Sequence, residues 1–425
     1  MKFRSILLFV LILLSNLLTA CQAAPAGSGK ISFMVSGSPA DLAAYQKLVD
    51  AFQTKYPAIQ VELINIPSEG DYLKRFTSDT AAGTPADVIM LNYRRQPAFS
   101  KTGAIEALDE RIAASSLIKP ADFYPEAFNA FKWNEKQMCI PQNVSSLVVY
   151  YNKDLFKQAN LPLPAADWNW DTFLTDAKAL TKDTNGDGST DQFGVGIDAE
   201  LIRFAPFVWQ AGGEIVDGDI TPSTLFINQP EGLEAGKFFF GLQNEHHVAP
   251  SQVEESAQDS QSRFLNGSLA MYFNSRKVVP TFRETAKFDW DVASLPRYKT
   301  AATVLHSDGY CLPSGSKNKQ AAWALIEYAN SVDGQTIIAA TGRTVPSRIA
   351  VAKSAAFLDP NAKPANSQLF LDVIPTIRPM PLFPNWIEVE DIASEELARG
   401  FYGQAEPGPA LDAAIQRTLE IFNEQ

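Results

Sequence analysis

Between residues 31 and 91 the apolar pattern switches repeatedly between the two-residue period of a strand and the 3.6-residue period of a helix, which leaves few architectures open. Residues 31–35 read as a strand, and Ser38-Pro39-Ala40-Asp41 then supplies an N-cap, a proline at the first helical position and a carboxylate three residues on. Leu42, Tyr45, Leu48, Val49 and Phe52 follow at helical spacing. Ile59, Val61 and Leu63 alternate as a strand, residues 72–82 return to helix, and Gly83-Thr84-Pro85 breaks the chain before an apolar strand at 88–91. Strands separated by helices predict an α/β fold with a mainly parallel sheet covered on both faces. Ligands bind such sheets at the carboxyl ends of strands, which makes Ser36, Gly37, Asn92 and Tyr93 candidate contacts.

The amino terminus has the make-up of an export signal. Lys2 and Arg4 precede an apolar run at 6–14, too short to span a bilayer, and Leu18-Thr19-Ala20-Cys21 closes it. That tetrapeptide resembles the lipobox of bacterial lipoproteins, in which the cysteine is lipidated and begins the mature chain. The expected order is therefore a signal peptide at 1–20, then a lipidated flexible tether at 21–30 rich in Ala, Gly, Pro and Ser. The alternative is an ordinary secretory signal with Cys21 a bystander. Both place the protein outside the cytoplasm.

The remaining chain of about 400 residues is too long for one core and predicts two domains. An apolar fraction of 46% and seven tryptophans exclude disorder. The formal charge of −12 becomes −14 once Lys2 and Arg4 leave with the leader, so phosphate backbones would be repelled and nucleic acid is a poor partner. Cys139 and Cys311 remain after Cys21, and two buried free thiols or a disulfide both fit them.

Several local motifs are weighed and set aside. Gly29-Lys30 lacks the Ser/Thr of a P-loop, and the Gly194-Val195-Gly196 stretch follows a polar loop instead of the strand that a dinucleotide fingerprint requires. His246-His247 has no zinc spacing and reads as surface. The sharpest motif runs from Asp183 to Asp191. Asp183, Asn185 and Asp187 stand at first, third and fifth positions, with glycine at the sixth, Ser189 at the seventh and Asp191 at the ninth. That is the turn of a calcium loop, although Gly194 replaces the bidentate glutamate. A structural Ca2+ is expected there, against a solvated Asx turn.

Pro141 to Phe156 reads PQNVSSLVVYYNKDLF, and Trp168-Asn169-Trp170-Asp171-Thr172-Phe173 follows. With Gly83-Thr84-Pro85-Ala86-Asp87-Val88, Gln210-Ala211-Gly212-Gly213, Asn266-Gly267-Ser268-Leu269-Ala270-Met271, Ser314-Gly315-Ser316-Lys317-Asn318 and the run from Gly342 to Arg348, the chain resembles the extracellular solute-binding proteins of carbohydrate ABC transporters, the maltodextrin-binding-like family. The likeness covers about residues 31–350, departs at Gln142 where the family usually has an apolar residue, and fades after Ala350 apart from Trp386-Ile387-Glu388. The resemblance implies a two-lobe periplasmic-binding-protein-like fold with hinge strands and a ligand cleft between the lobes. It implies one lobe from 31–140 plus 312–358 and another from 141–311 plus 359–425. It places Cys139 and Cys311 on neighbouring hinge-side strands, which favours the disulfide, and it implies a monomeric carrier that meets a permease.

Sugar recognition asks for apolar rings against C–H faces and polar groups aimed at hydroxyls. Trp209 beside Gly212-Gly213, Tyr272, Tyr310 and Trp386 among prolines are the aromatic candidates, each weighed against core packing. Asn274 and Asp308 are polar candidates beside apolar runs. Arg343 follows a helix end, where pairing with a structural carboxylate is the favoured alternative. The function expected is a lipid-anchored receptor for a sugar. A binder of a non-sugar solute such as glycerol phosphate competes with it, with Arg94-Arg95 as the basic feature and a solvated loop as its preferred reading. A secreted glycoside hydrolase needs a carboxylate pair that 48 acidic residues permit, yet no G-x-S-x-G nucleophile motif appears.

Overall fold

The computed structural model describes residues 27–218 and 222–424, so the expected leader and Cys21 lie outside the described residues. Strands Gly29–Val35, Ile59–Asn65 and Val88–Asn92 run parallel, with Phe33 level with both Leu63 and Val88. Asp308–Cys311 and Cys139–Pro141 extend that sheet antiparallel, giving five strands. One face of the sheet is covered by the helices Pro39–Lys55 and Lys319–Ala329 through Tyr45, Leu48, Phe52 and Leu325. The other face packs on Tyr72 and Phe76 of Glu69–Ala81 and on Phe131. The expected Ser38 cap forms a full capping box with Asp41.

A second sheet holds Trp290–Ala293, Val148–Asn152, Leu269–Asn274 and Phe193–Gly196 in that order, the last two parallel. Its core is rich in rings, with Trp170 stacked on Phe238 at 4.3 Å and Phe207 against Phe239 at 5.2 Å. Three short strands, Ile377–Arg378, Thr303–His306 and Ser145–Ser146, form a small sheet beside the chain crossings. Two lobes, each with its own sheet, result.

The crossings differ from the boundaries drawn at 140/141, 311/312 and 358/359. Pro141 still pairs in the first sheet, and the whole of Asp308–Cys311 belongs to it, so the second crossing falls at Ser307. Phe357 lies under Arg276 of the second lobe, so the third crossing precedes it. Because Cys139 and Cys311 face each other in register with Cα atoms 4.4 Å apart, they are bonded, and the disulfide staples the first sheet alone.

The segment from Asn318 to Ala340 forms two helices, Lys319–Ala329 and Val332–Ala340, because Ser331 caps the second by accepting from Gly334 N. Asn318 makes no cap and donates to Lys30 O instead. In the second lobe the helix Trp170–Leu180 is capped by Asn169.

Candidate ligand-binding cleft

A cleft of about 910 Å3 separates the two sheets. From the first sheet, the carboxyl ends of parallel strands supply Ser36 and Gly37 after Val35, and Asn92 with Arg94 and Arg95. Asp308 stands level with Asn92 on the neighbouring antiparallel strand. The second sheet answers in the same way: Asp198 and Glu200 follow Phe193–Gly196, while Tyr272, Asn274, Ser275 and Lys277 lie at the end of Leu269–Asn274. The crossing segments add Asn143, Ser145, His306 and Arg343. Helix Trp386–Phe401 contributes Ile387, Glu390, Asp391, Ser394, Glu395 and Ala398, the three- and four-residue spacing of one helix face.

Hydrogen bonds fix most of these groups before any ligand arrives. Asn92 Nδ2 donates to Asp308 Oδ1 at 3.1 Å, and Asp308 N donates to Asn143 Oδ1 at 2.9 Å. Asn143 Nδ2 in turn donates to His306 O at 2.9 Å and Ser145 Oγ at 3.1 Å. Asn274 Nδ2 donates to the Tyr272 hydroxyl at 2.7 Å. Arg203 is held by Asp198 and lies 3.0 Å from His306 Nε2. Burial, with Arg203 as the nearest cation, holds His306 well below the usual histidine range, so the ring is neutral. A neutral ring that accepts from Arg203 at Nε2 carries its proton on Nδ1.

Ion pairs cross the cleft and line its floor. Arg94 of the first lobe pairs with Glu390 of the second, whose other oxygen accepts from Trp386 Nε1 at 2.9 Å. Burial favours an uncharged Arg94, but Glu390 outweighs it and raises the pKa. Arg343 pairs with Asp41 and donates to Gln142 Oε1 at 3.0 Å, with its guanidinium 5.2 Å from the centre of the Tyr45 ring. Burial pushes the Asp41 carboxyl up, and Arg343 more than reverses that. Buried Gln142 also donates to the Tyr310 hydroxyl at 2.7 Å, so the departure from the family pattern places an amide where three polar groups meet.

Of the candidate contacts read from the sequence, Ser36, Gly37, Asn92, Tyr272, Asn274, Asp308 and Arg343 line the cleft. Arg343 also makes the structural pairing favoured for it. Tyr93 is fully buried, and its hydroxyl accepts from Met380 N at 3.0 Å, because the chain turns inward after Asn92. Tyr310 is fully buried deeper in the first sheet, where it packs beside Phe33 and its hydroxyl accepts from Gln142. Trp209 is buried in Leu201–Gln210 under Arg378, and Gly212 and Gly213 form the turn that ends that helix away from the cleft lining. Trp386 does not stand in a loop: it opens a helix and is buried against Phe383. Arg203, His306, Glu200 and Glu390 are among the lining residues that sequence reasoning missed. The only local signal for them was polarity within apolar runs.

In the calcium motif every Asp and Asn is engaged by the loop itself. Asp183 accepts from Gly186 N and Gly188 N, Asn185 Oδ1 from Asp187 N, Asp187 Oδ1 from Ser189 N, and Asp191 from Thr184 and Asn185. Among the described residues no group of three or more His, Cys, Asp or Glu side chains is poised to hold a metal.

Comparison with known proteins agrees with this geometry. The family model for bacterial extracellular solute-binding proteins matches residues 36–336. The chain belongs to that family. A binding protein of Brucella abortus (strain 2308) is 26% identical over 96% of this chain and 97% of its own length. The galactooligosaccharide-binding protein of Bacillus subtilis (strain 168) is 24% identical over 87% of this chain and 84% of its own. An ABC substrate-binding protein from Listeria monocytogenes, solved in complex with cycloalternan, superposes with a TM-score of 0.84 at 25% identity and covers 93% of this chain and 98% of that one. Membership makes this chain a solute-binding protein of an ABC transporter and not an enzyme. The family is extracellular, and among the described residues no helix is long and apolar enough to cross a membrane.

Proposed function

We propose that this solute-binding protein captures a carbohydrate in the cleft and hands it to a permease as a monomer tethered through lipid on Cys21. The observation that carries the reading is the lining of fixed polar groups: Asn92, Asp308, Asn143, Tyr272 and Asn274 come from both lobes and are held in place by one another. Such groups suit hydroxyls, each of which donates and accepts. Closure about the crossings would bring the two sets onto one ligand, and a bound ligand stabilises the form it contacts on both sides. Tethering keeps the loaded protein near its permease. A phosphorylated solute is disfavoured by the cleft's charge, eight carboxylates against five arginines and lysines. The deciding experiment is a thermal-shift screen of the mature chain across sugars, glycerol phosphates and peptides, since a ligand raises apparent stability by mass action. Sugar-specific shifts without turnover are expected; stabilisation by glycerol phosphates or peptides alone would reject the carbohydrate reading.

A Ca2+ in the loop from Asp183 to Asp191 is a further part of the proposal, supported by the spacing of Asp183, Asn185 and Asp187.

A further inference from the structure

The chain crossing at Ser307 sets a donor and an acceptor almost side by side. His306 precedes it and Asp308 follows it, and both line the cleft. Asn143 fixes the pair from the neighbouring crossing: its Nδ2 donates to His306 O at 2.9 Å, and its Oδ1 accepts from Asp308 N at 2.9 Å. Asn92 engages only Oδ1 of Asp308, which leaves the other carboxylate oxygen to accept. What His306 offers depends on which ring nitrogen holds the proton, and the second lobe decides that.

Arg203, buried in the helix Leu201–Gln210, has no acceptor atom. Its Nη1 can therefore only donate to His306 Nε2, 3.0 Å away. Nε and Nη2 of the same guanidinium both reach Asp198 Oδ2 at 3.3 Å, which orients the fork. A neutral imidazole that accepts at Nε2 carries its proton on Nδ1. Burial keeps this ring neutral, and the charges of Arg203, Arg94 and Lys277 act in the same direction. Among the described residues nothing accepts from Nδ1, and His306 is only partly buried where it lines the cleft.

Resting on the reading of this cleft as a carbohydrate site, we propose that His306 is a specificity residue that donates its Nδ1–H to an acceptor oxygen of the sugar, with Arg203 as the positioning residue that holds the tautomer. Asp308 takes a hydroxyl proton beside it. Because a ring N–H cannot accept, this position reads a lone pair, as on a hydroxyl, ring or glycosidic oxygen, and rejects a group that can only donate, such as an ammonium.

Two substitutions separate this role from a structural one. His306→Gln keeps an oxygen near the Nε2 position for Arg203 and loses the Nδ1 donor, whereas His306→Asn keeps an N–H near the Nδ1 position and loses the Arg203 contact. Isothermal titration of the mature chain uses maltotriose, a galactotriose and sn-glycerol 3-phosphate as probes. With the trisaccharide that the parent binds more tightly, His306→Asn should bind about tenfold more tightly than His306→Gln, the effect of one hydrogen bond. The melt should rank the two variants the other way, with His306→Gln nearer the parent. Equal affinities, or tighter binding by His306→Gln, would overturn the proposal while leaving the carbohydrate reading standing. Long-range proton–nitrogen spectra at neutral pH supply a second readout that needs no sugar. The His306 signal, identified by its loss in His306→Gln, should show the proton on Nδ1 in the parent and a mixture of tautomers in Arg203→Met. A proton on Nε2 in the parent would overturn the proposal whether or not a sugar binds. Tightest binding by glycerol phosphate would instead reject the carbohydrate reading, and the spectra would still judge the hold of Arg203 on His306.

Discussion

The two lobes handle their polar and aromatic residues in opposite ways. In the first, the cleft edge is immobilised: Asp41 is locked to Arg343, Asn92 to Asp308, and a disulfide ties two adjacent strands of the same sheet. In the second, the edge keeps free carboxylates, while Trp168, Trp170, Trp209, Trp290 and Trp386 are sunk in the core. The first lobe therefore presents a rigid template, and the second presents solvent-exposed carboxylates such as Glu200 and Asp391 beside it. Aromatic richness in the sequence said little about the cleft, because a ring's energetic value is largest where it is buried against other rings.

Changes in each lobe should break this contrast in order of size. Trp386→Ala removes a fully buried ring from the second lobe and should lower unfolding free energy by about 4 kcal/mol in a denaturant melt; a loss of ligand affinity with unchanged stability would put Trp386 back in the cleft. Replacing Cys139 and Cys311 together with alanine opens a link across 172 residues and should cost about 3 kcal/mol, and the melt should show the loss without any change in ligand specificity. Asp308→Ala leaves Asn92 without its acceptor and should weaken ligand binding by about 10- to 100-fold, read by titration, with a smaller effect on the melt.

Two effects are smaller. His306 is neutral in the folded protein because its pKa lies well below the ordinary 6.5, so the unfolded chain binds a proton that the folded one refuses. Stability then falls as pH drops below about 6.5, in the window between the ordinary and the depressed values. His306→Gln should flatten the decline in melting temperature between about pH 7 and 5; a slope equal to that of the parent would show that His306 does not titrate across unfolding. Last, chelator should lower the melting temperature by a few degrees and added calcium restore it, since a surface loop of this kind contributes only by linkage. An unchanged melt would leave the loop from Asp183 to Asp191 as a solvated Asx turn.

Legibility in the sequence followed how local the cause was. The first strands and the Ser38 capping box were readable because period and cap are set within a few residues. Ser36, Gly37 and Asn92 were found because a parallel sheet places ligands at strand ends whatever the rest of the chain does. Asn274 and Asp308 stood out as polar groups beside apolar runs. Tyr93, Trp209, Tyr310 and Trp386 misled because a ring next to a turn looks the same in sequence whether it faces a cleft or a core. Arg203, His306 and Glu390 were missed for the converse reason. Their roles depend on partners far along the chain, 103 residues away for Arg203 and His306 and 296 for Arg94 and Glu390.

By itself the sequence determined the α/β layering and the presence of the family's ordered motifs, both of which rest on short-range pattern. Only the tertiary structure decided that Cys139 meets Cys311, that Gln142 joins Tyr45, Tyr310 and Arg343, and which charges in the cleft are left unpaired. Those outcomes depend on strands brought together by three chain crossings, and no local propensity encodes the distance between two residues on different strands.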